Sequence, residues 1–220
     1  MKKLFKAIRN SDFHEVKEII TKSPESVNCV AKQPPKKDDG QSPLQVALKT
    51  GNFDIAGYLI DMGADLNFIE EESCCNEWRT PVIHDAITAA VMCSRWNTNN
   101  KYSGFKVFST KERADDAFYI LCRMLKNGAD VNSVDSHGNS GIWRFCLQSN
   151  QVLPIFNYID HTEGDDRIFT DELHEDLRRI LAVLKDSGAD PFYAAPNFGK
   201  SPLDFYTEGS LSLILKEVFG

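Results

Sequence analysis

Three copies of the tripeptide Gly-Ala-Asp, at residues 63–65, 128–130 and 188–190, constrain the fold of this 220-residue chain more than any other feature. Each copy follows a segment in which apolar residues recur at i, i+3 and i+4, the spacing that places them on one face of an α-helix. The glycine then stands where helices commonly end in a left-handed residue. The pattern predicts three helices that stop at the same kind of turn, and therefore a repeated architecture.

A second repeated feature is a hydroxyl residue followed by proline, which occurs at Ser42-Pro43, Thr80-Pro81 and Ser201-Pro202. Serine and threonine are favoured N-cap residues, because their side-chain oxygen accepts a backbone N–H of the first helical turn. Proline suits the next position, where a missing N–H costs nothing. The three pairs predict helices that begin at the proline.

The best copy of the unit runs from Asp39 to Asn67 and reads DGQSPLQVALKTGNFDIAGYLIDMGADLN. Its Asp-Gly turn, its Ser-Pro-Leu start, Ala47, Gly51 and its Gly-Ala-Asp ending resemble the ankyrin repeat, a unit of about 33 residues made of a β-turn and two antiparallel helices. Gln45 departs from the family, which commonly has histidine there. The resemblance implies a solenoid that binds other proteins through its β-turn fingers and first helices.

Extended over the whole chain, the resemblance implies an all-α fold, an ankyrin-repeat α-solenoid of about five helix-turn-helix units with β-turn fingers. We expect a single domain over residues 1–220. The expected units are 1–38 as the N-terminal cap, 39–76, 77–134, 135–196, and 197–220 as the C-terminal cap.

Units three and four are longer than the family norm. Asp65 and Asp130 are 65 positions apart, and Asp130 and Asp190 are 60 positions apart, about twice a normal unit in each case. Two degenerate repeats per gap would explain this, but neither gap holds a second Gly-Ala-Asp turn. We therefore expect insertions between the two helices of each unit, with longer second helices that begin near Thr110, after a Ser109–Glu112 capping box, and near Asp171.

The insertion in unit three is the first candidate binding surface. It combines aromatic residues with positive charge, in Trp96, Tyr102, Phe105, Phe108, Lys101 and Lys106. Exposed aromatic residues beside cations are common at the energetic centres of protein interfaces. Alternatively, the rings fold inward and cover the lengthened helices.

The insertion in unit four and the helix after it form the second candidate. They hold the strongest concentration of negative charge in the chain, in Asp160, Glu163, Asp165, Asp166, Asp171, Glu172, Glu175 and Asp176. Such a cluster attracts a basic partner and speeds association, and we assign Asp165 and Asp166 to a partner surface. Alternatively, Asp171 and Glu172 stabilise a helix N-terminus and the other residues solvate a loop.

The finger between units two and three is the third candidate. It carries three glutamates followed by a tryptophan and an arginine, namely Glu70, Glu71, Glu72, Trp78 and Arg79. Tryptophan and arginine are favoured interface anchors. Alternatively, the finger is a solvated tip with Trp78 packed on the next finger.

Trp143 and Arg144 stand where the ankyrin signature has histidine and its neighbour. In the family this histidine stabilises the finger by hydrogen bonding. We expect Trp143 to pack structurally. Arg144 is expected to project toward the concave face and contact a partner.

Several functional classes are disfavoured by the sequence. The net charge of −7 argues against a nucleic acid ligand, and no apolar run is long enough to span a membrane. The first ten residues lack the apolar core of a secretion signal, and the six cysteines lack disulfide-framework spacing, so we expect a cytoplasmic protein with free thiols.

No catalytic or metal-binding set emerges either. His84 and Asp85 are adjacent on a predicted helix, and adjacent helical residues do not face each other. Cys74, Cys75 and His84 lack the paired spacing of zinc ligands. We expect no enzyme activity, no cofactor and no metal.

We therefore predict a non-catalytic protein–protein interaction module, a cytoplasmic adaptor or inhibitor that is a monomer when free and binds another protein of basic character. One alternative is an immunity or antagonist protein that neutralises a basic toxin or defence enzyme, such as a nuclease. The chain resembles the small stand-alone ankyrin proteins of bacteria and phages in size and acidity, and these include such antagonists. A second alternative is a self-assembling structural module, in which the aromatic insertion packs on a second copy.

Overall fold

The computed structural model describes residues 2–73 and 77–220, and over these residues the chain is mostly helical. The α-helices are α1 (Lys2–Arg9), α2 (Phe13–Lys22), α3 (Pro43–Lys49), α4 (Phe53–Asp61), α5 (Val82–Met92), α6 (Lys111–Lys126), α7 (Gly141–Val152), α8 (Asp171–Asp186), α9 (Pro202–Phe205) and α10 (Gly209–Phe219). Short 3₁₀ helices span Pro24–Asn28 and Lys36–Asp38. The strands are β1 (Asn97–Asn100), β2 (Gly104–Val107), β3 (Phe156–Asn157) and β4 (Thr162–Glu163).

The helices pack in consecutive pairs, and the pairs stack in two rows. The odd-numbered helices form one row, in which α1 contacts α3, α3 contacts α5, α5 contacts α7 and α7 contacts α9. The even-numbered helices form the other row in the same order, from α2 to α10. One apolar core, from Leu4 to Val218, runs between the rows. Contacts that link each pair to its sequence neighbours are typical of a linear array.

The starts of α3, α5 and α9 test the prediction that a hydroxyl residue caps a helix beginning at the next proline. The start of α3 at Pro43 is confirmed, since Ser42 caps it and forms a capping box with Gln45. The start of α9 at Pro202, capped by Ser201, is also confirmed.

The cap prediction for α5 is wrong by one residue. The helix begins at Val82, and Pro81 is its N-cap residue, without a side-chain cap. Thr80 belongs to the finger instead. Its N–H donates to Glu70 Oε2 at 2.9 Å, and its carbonyl accepts from Gln45 Nε2 at 3.0 Å.

The Gly-Ala-Asp turns are joined by a ladder of asparagine side chains. Asn67 Oδ1 accepts the N–H of Asp130 at 2.7 Å, and Asn67 Nδ2 donates to the carbonyl of Gly128 at 3.1 Å. Asn28 and Asn132 each make the same two bonds to the next turn along the chain. Each Gly-Ala-Asp turn therefore ends a helix and also binds the asparagine side chain of the preceding unit.

The glycine of each turn adopts the left-handed conformation that the sequence predicts. At Gly63 φ is 84°, a backbone conformation in which side chains with a Cβ are strained. The ladder ends at the third turn, because Phe192 replaces the asparagine and lies exposed.

The residues at the signature-histidine position have one common role. Each donates a side-chain N–H to a backbone carbonyl of the following finger, namely Gln45 to Thr80 at 3.0 Å, His84 to Ser133 at 2.9 Å and Trp143 to Tyr193 at 3.1 Å. Glutamine and tryptophan can therefore replace histidine here, because the position requires an N–H donor of sufficient reach.

The two segments predicted as insertions form β-hairpins, so the expectation of an all-α chain needs correction. β1 and β2 lie between α5 and α6, and β3 and β4 lie between α7 and α8. A chain that leaves one helix and returns to the next gains backbone hydrogen bonds by pairing with itself.

The helices after the hairpins begin where the sequence predicts. The start near Thr110 is confirmed, with Thr110 rather than Ser109 as the N-cap of α6. The start of α8 at Asp171 is also confirmed. Both helices have 16 residues, against nine in α4. They contact each other through Asp115 and Arg179, with 2.5 Å between Oδ1 and Nη1.

Candidate functional site

The predicted site residues lie on two separate edges of the molecule. We call residues 67–73, 77–81 and 133–139 the finger edge, because they precede α5 and α7. We call residues 95–108 and 155–168 the hairpin edge, because they follow the same two helices. The 11 residues of α5 separate the edges by about 16 Å at 1.5 Å per residue.

On the finger edge, the three glutamates have different environments. Glu70 is 3% exposed and contacts Lys49, with 2.6 Å between Oε1 and Nζ. Glu71 is exposed and pairs with Lys32 at 2.6 Å, and its N–H donates to the carbonyl of Gly40 at 3.0 Å. Glu72 is exposed. Glu70 therefore closes the finger internally, while Glu71 and Glu72 remain accessible.

The cysteines of this finger, Cys74 and Cys75, lie outside the described residues. The prediction that Cys74, Cys75 and His84 do not form a zinc site therefore stays a prediction. Elsewhere, in residues 2–73 and 77–220, no group of three or more His, Cys, Asp and Glu side chains is placed to hold a metal ion. In the same two ranges, no helix has both the length and the apolar character needed to cross a bilayer.

Two buried carboxylates share one ammonium beneath the finger. Lys49 Nζ lies 2.6 Å from Glu70 Oε1 and 3.7 Å from Asp85 Oδ1, and Gln45 Nε2 donates to Asp85 Oδ2 at 2.8 Å. Burial raises the pKa of Asp85 to about 6, although Lys49 opposes the shift. Burial lowers the pKa of the neighbouring His84 to about 4, and Arg144 adds to this shift.

We compare the free energy of unfolding of Asp85→Asn with that of the wild type at pH 4 and at pH 7.5. The difference, variant minus wild type, is expected to be more favourable to the variant at pH 7.5 than at pH 4, by up to about 3 kcal/mol. The folded pKa of Asp85 lies above the ordinary value of 3.8, so the proton stabilises the native state below pH 4 and this contribution is lost as pH rises through 6. An amide does not ionise. Urea unfolding of both proteins at the two pH values measures the difference.

His84 has the opposite sign, so the wild-type pH profile alone does not reveal Asp85. The depressed pKa of His84 gives stability that is present above pH 6.5 and lost as pH falls toward 4. Because His84 is present in both proteins, its contribution cancels in the comparison. An equal stability difference at pH 4 and pH 7.5 would show that Asp85 titrates normally.

A second buried cluster surrounds Asp135. Its carboxylate accepts hydrogen bonds from Arg144 at 3.0 Å, from Trp78 Nε1 at 3.2 Å, and from the backbone N–H groups of His137 and Asn139 at 2.9 and 3.0 Å. Burial alone would raise the pKa of Asp135, but the hydrogen bonds from Asn139 and His137 outweigh it and keep the pKa below its ordinary value.

Arg144 therefore has structural contacts that the sequence did not reveal, whereas Trp78 packs on the next finger, as the alternative prediction for this finger states. Arg144 is 7% exposed, and the expectation that it projects toward a partner is not what the structure shows. The ring of Trp78 lies over its guanidinium, 5.0 Å from the ring centroid, and meets His137 edge to face at 4.8 Å. Arg79 is exposed, and its backbone pairs with Ser136 of the next finger.

On the hairpin edge, the aromatic residues divide into inward and outward groups. Trp96 is partly buried, stacks on Phe108 with 4.4 Å between centroids, and donates its Nε1–H to the carbonyl of Met92 at 3.1 Å. Tyr102 is fully exposed at the hairpin turn, and Phe105 is 51% exposed on β2. The inward alternative thus holds for Trp96, whereas Tyr102 and Phe105 point into solvent.

The two insertions contact each other along β1. Asn97 exchanges two hydrogen bonds with the backbone of Ile168, at 2.8 and 2.9 Å, and the N–H of Asn99 donates to the carbonyl of Asp166 at 2.7 Å. Residues 166–168 therefore lie beside β1 in the manner of a third strand. The asparagine-rich sequence of β1 indicates side chains able to form hydrogen bonds, but it does not indicate that their partners are residues 166–168.

Arg95 fixes the base of this edge to α8. Its guanidinium makes bonds of 2.9 Å to both carboxylate oxygens of Asp176, and its backbone N–H adds a third at 2.9 Å. These bonds raise the pKa of Arg95 above its ordinary value, since they favour the charged form. Asp176 is 1% exposed, so this member of the acidic cluster is structural.

The rest of the acidic cluster also divides. Glu163 accepts the N–H of Ser210 at 2.5 Å, next to the start of α10, and Asp160 closes a local turn with Thr162. Asp165 and Asp166 are exposed, and the carboxylate of Asp166 pairs with Arg167. Asp160 and Glu163 are exposed as well, so the negative charge of the hairpin edge is spread over four carboxylates. Asp165 and Asp166 are the two that do not also close a local turn or bond to the start of α10.

Comparison with known protein families identifies one part of the chain. A model of the ankyrin repeat matches residues 39–68, which comprise α3, α4 and the first Gly-Ala-Asp turn. This segment is therefore similar to an ankyrin repeat, a unit that in general mediates protein–protein interaction and is generally non-catalytic. No curated protein matches the chain.

Proposed function

We propose that the chain is a non-catalytic protein-binding module of five ankyrin-like units, and that its hairpin edge is the main partner surface. The five units are the consecutive helix pairs, with units three and four enlarged by the hairpins. The asparagine ladder and the two rows of helices support this assignment. In this view the array is a scaffold whose insertions carry the function.

The observation that carries the proposal is the contrast between the two edges. On the finger edge, Glu70 bonds to Lys49 and Trp78 bonds to Asp135, which also holds Arg144 of α7. On the hairpin edge, Tyr102 and Phe105 project into solvent from a sheet that is itself anchored to the array. Exposed aromatic residues on a backbone that is already ordered avoid the cost of ordering that backbone on binding, and aromatic residues are common anchors.

Asp165 and Asp166 extend this surface with negative charge and favour a basic partner. Arg79, Glu71 and Glu72 form a secondary surface on the finger edge in this proposal. An adaptor or inhibitor in the cytoplasm is the role that we propose, and an antagonist of a basic toxin or defence enzyme is its sharper form. Both roles share one physical requirement, a stoichiometric protein partner.

Affinity capture from a native lysate tests the proposal. The tagged chain should retain one stoichiometric partner, and the double variant Tyr102→Ser/Phe105→Ser should lose it by tenfold or more, about 1.4 kcal/mol of binding energy. The matched control is Tyr119→Ser/Phe192→Ser, which removes another exposed tyrosine and phenylalanine away from the hairpins. Equal loss in both double variants, or retention in both, would contradict the hairpin edge as the surface.

A self-assembling module remains the second candidate, because the same exposed rings can pack on a second copy. Light scattering of the free chain at increasing concentration separates the two. A constant monomer mass supports binding to a different protein, whereas a mass that doubles and falls back in the Tyr102→Ser/Phe105→Ser variant supports self-assembly.

A further inference from the structure

β2 is the outer strand of the first hairpin, and all four of its residues are exposed. It pairs with β1 in an antiparallel register in which Asn97 faces Val107, Thr98 faces Lys106 and Asn99 faces Phe105. In such a pair, residues alternate between those that exchange hydrogen bonds with the facing strand and those whose N–H and C=O point away from it.

Two hydrogen bonds show which residues point away. Phe108 donates its N–H to the carbonyl of Trp96 at 2.9 Å, which places this pair in the bonded set. Asn99 donates its N–H to Asp166, on the side of β1 opposite to β2. Counting alternately from either bond, Phe105 and Val107 direct their N–H and C=O groups toward the outer edge of β2. Within residues 2–73 and 77–220, no other segment forms a backbone hydrogen bond with these groups.

We infer that this edge binds an extended segment of a partner protein, which adds to the hairpin as a further strand with an apolar–acidic–apolar sequence. The inference rests on the proposed function for the location of the partner surface, and it adds the binding mode and the chemistry of the ligand. Backbone N–H and C=O groups spaced two residues apart are satisfied by another peptide backbone.

The side chains of β2 define the sequence of the added strand. Phe105 and Val107 lie on one face of the hairpin and are 51% and 44% exposed, so residues of the ligand opposite them gain from being apolar. Lys106 lies between them, at a non-hydrogen-bonded position toward the new strand, where facing residues are closest. An acidic residue opposite Lys106 forms a favourable cross-strand pair.

Lys106 also argues against a second copy of the chain as the occupant. In the two-fold pairing of β2 with itself that joins Phe105 to Val107 of the other copy, the two Lys106 side chains face each other. Like charges directly opposite destabilise a strand pair, and an edge lysine is a common protection against self-pairing. The charge therefore selects an acidic segment from a different protein.

The edge is held in place before any ligand arrives. Residues 166–168 line the far side of β1, and Arg95, next to the start of β1, is fixed to Asp176 of α8. The added strand would make the fourth in a row formed by residues 166–168, β1 and β2. A preformed edge avoids the entropic cost of ordering on binding.

Selection from a random library of 12-residue peptides tests the inference without knowledge of the natural partner. We expect enrichment of peptides with an apolar–acidic–apolar core that bind the wild-type chain. Val107→Pro should weaken them by about tenfold or more, because it removes the outward N–H. Proline is tolerated at an edge position whose N–H faces solvent, so the hairpin persists.

Val107→Ala is the matched control, because it truncates the same side chain and keeps the N–H. Peptides should bind this variant better than Val107→Pro, and Lys106→Glu should reverse the charge preference of the selection. Amide exchange followed by NMR should slow at Phe105 and Val107 in the complex and stay unchanged at Lys106, which already bonds to β1.

The inference is overturned if the library yields no such peptides, or if the selected peptides bind Val107→Pro and Val107→Ala equally. That result leaves the proposed function standing when the lysate partner is still captured and still lost in Tyr102→Ser/Phe105→Ser, since side chains alone would then carry the binding. The two failures are therefore distinguishable.

Discussion

Replacing Asp135 by alanine is expected to lower the free energy of unfolding by about 3–5 kcal/mol. The carboxylate accepts bonds from Arg144, Trp78 and two backbone N–H groups. Removing it leaves Arg144 buried as an unpaired charge and opens the turn that begins the finger. Both costs arise in the native state, because the unfolded chain hydrates the same groups.

Urea unfolding of Asp135→Ala against the wild type measures this effect, and Asp130→Ala is the matched control. Asp130 is also an aspartate in a turn, but it is exposed, and its side chain accepts one N–H, from Asn132 at 2.9 Å. We expect the control to cost about 1 kcal/mol or less. Equal losses in the two variants would mean that the Arg144–Trp78–Asp135 cluster does not stabilise the fold.

Replacing Arg95 by alanine is expected to cost about 2–4 kcal/mol, a little less than Asp135→Ala. Asp176 would lose a bidentate partner while buried, but Arg179 would remain 3.1 Å away and would compensate in part. The same change releases the base of the hairpin from α8. Unfolding energy and hydrogen exchange should therefore change together, with faster exchange in residues 97–108 and in the first turn of α8.

Arg178→Ala provides the control for this substitution, because Arg178 is an exposed arginine on α8, the helix that Arg95 contacts. Arg95→Lys should lie between the two, since lysine keeps the charge but loses the planar bidentate geometry. If Arg95→Ala were as stable as Arg178→Ala and exchanged no faster in the hairpin, the Arg95–Asp176 ion pair would not hold the hairpin edge in place.

The features predictable from the sequence are those that local chemistry decides. The left-handed turn at Gly63, just after α4, follows from the glycine itself. The starts of α6 near Thr110 and of α8 at Asp171 follow from the cap residues there and their immediate neighbours. The ankyrin resemblance of residues 39–68 was visible for the same reason, because turn and cap residues recur at fixed offsets within one unit.

The features that escaped prediction depend on contacts between distant residues. Asn97 and Ile168 are 71 positions apart, and no local pattern indicates that they bond. Likewise, a finger glutamate can point outward or pair inward. Glu70 pairs with Lys49, 21 positions earlier, whereas Glu71 and Glu72 stay exposed. Burial of a charge depends on its partner, which the sequence does not locate.

The shift at Thr80 shows the same limit on a smaller scale. A hydroxyl before proline is a good cap signal, and it is correct at Ser42 and Ser201. At Thr80 the competing finger contacts with Glu70 and Gln45 prevail, and the helix begins one residue later than expected.

Hydrogen–deuterium exchange of the chain, free and bound to its captured partner, tests whether the hairpin edge is the partner surface. We expect slower exchange on binding in residues 97–108 and 165–168, with residues 67–73 and 77–81 of the finger edge changed little. Protection confined to the finger edge and the first helices, with the hairpin edge unchanged, would contradict this expectation and assign binding to the concave face instead.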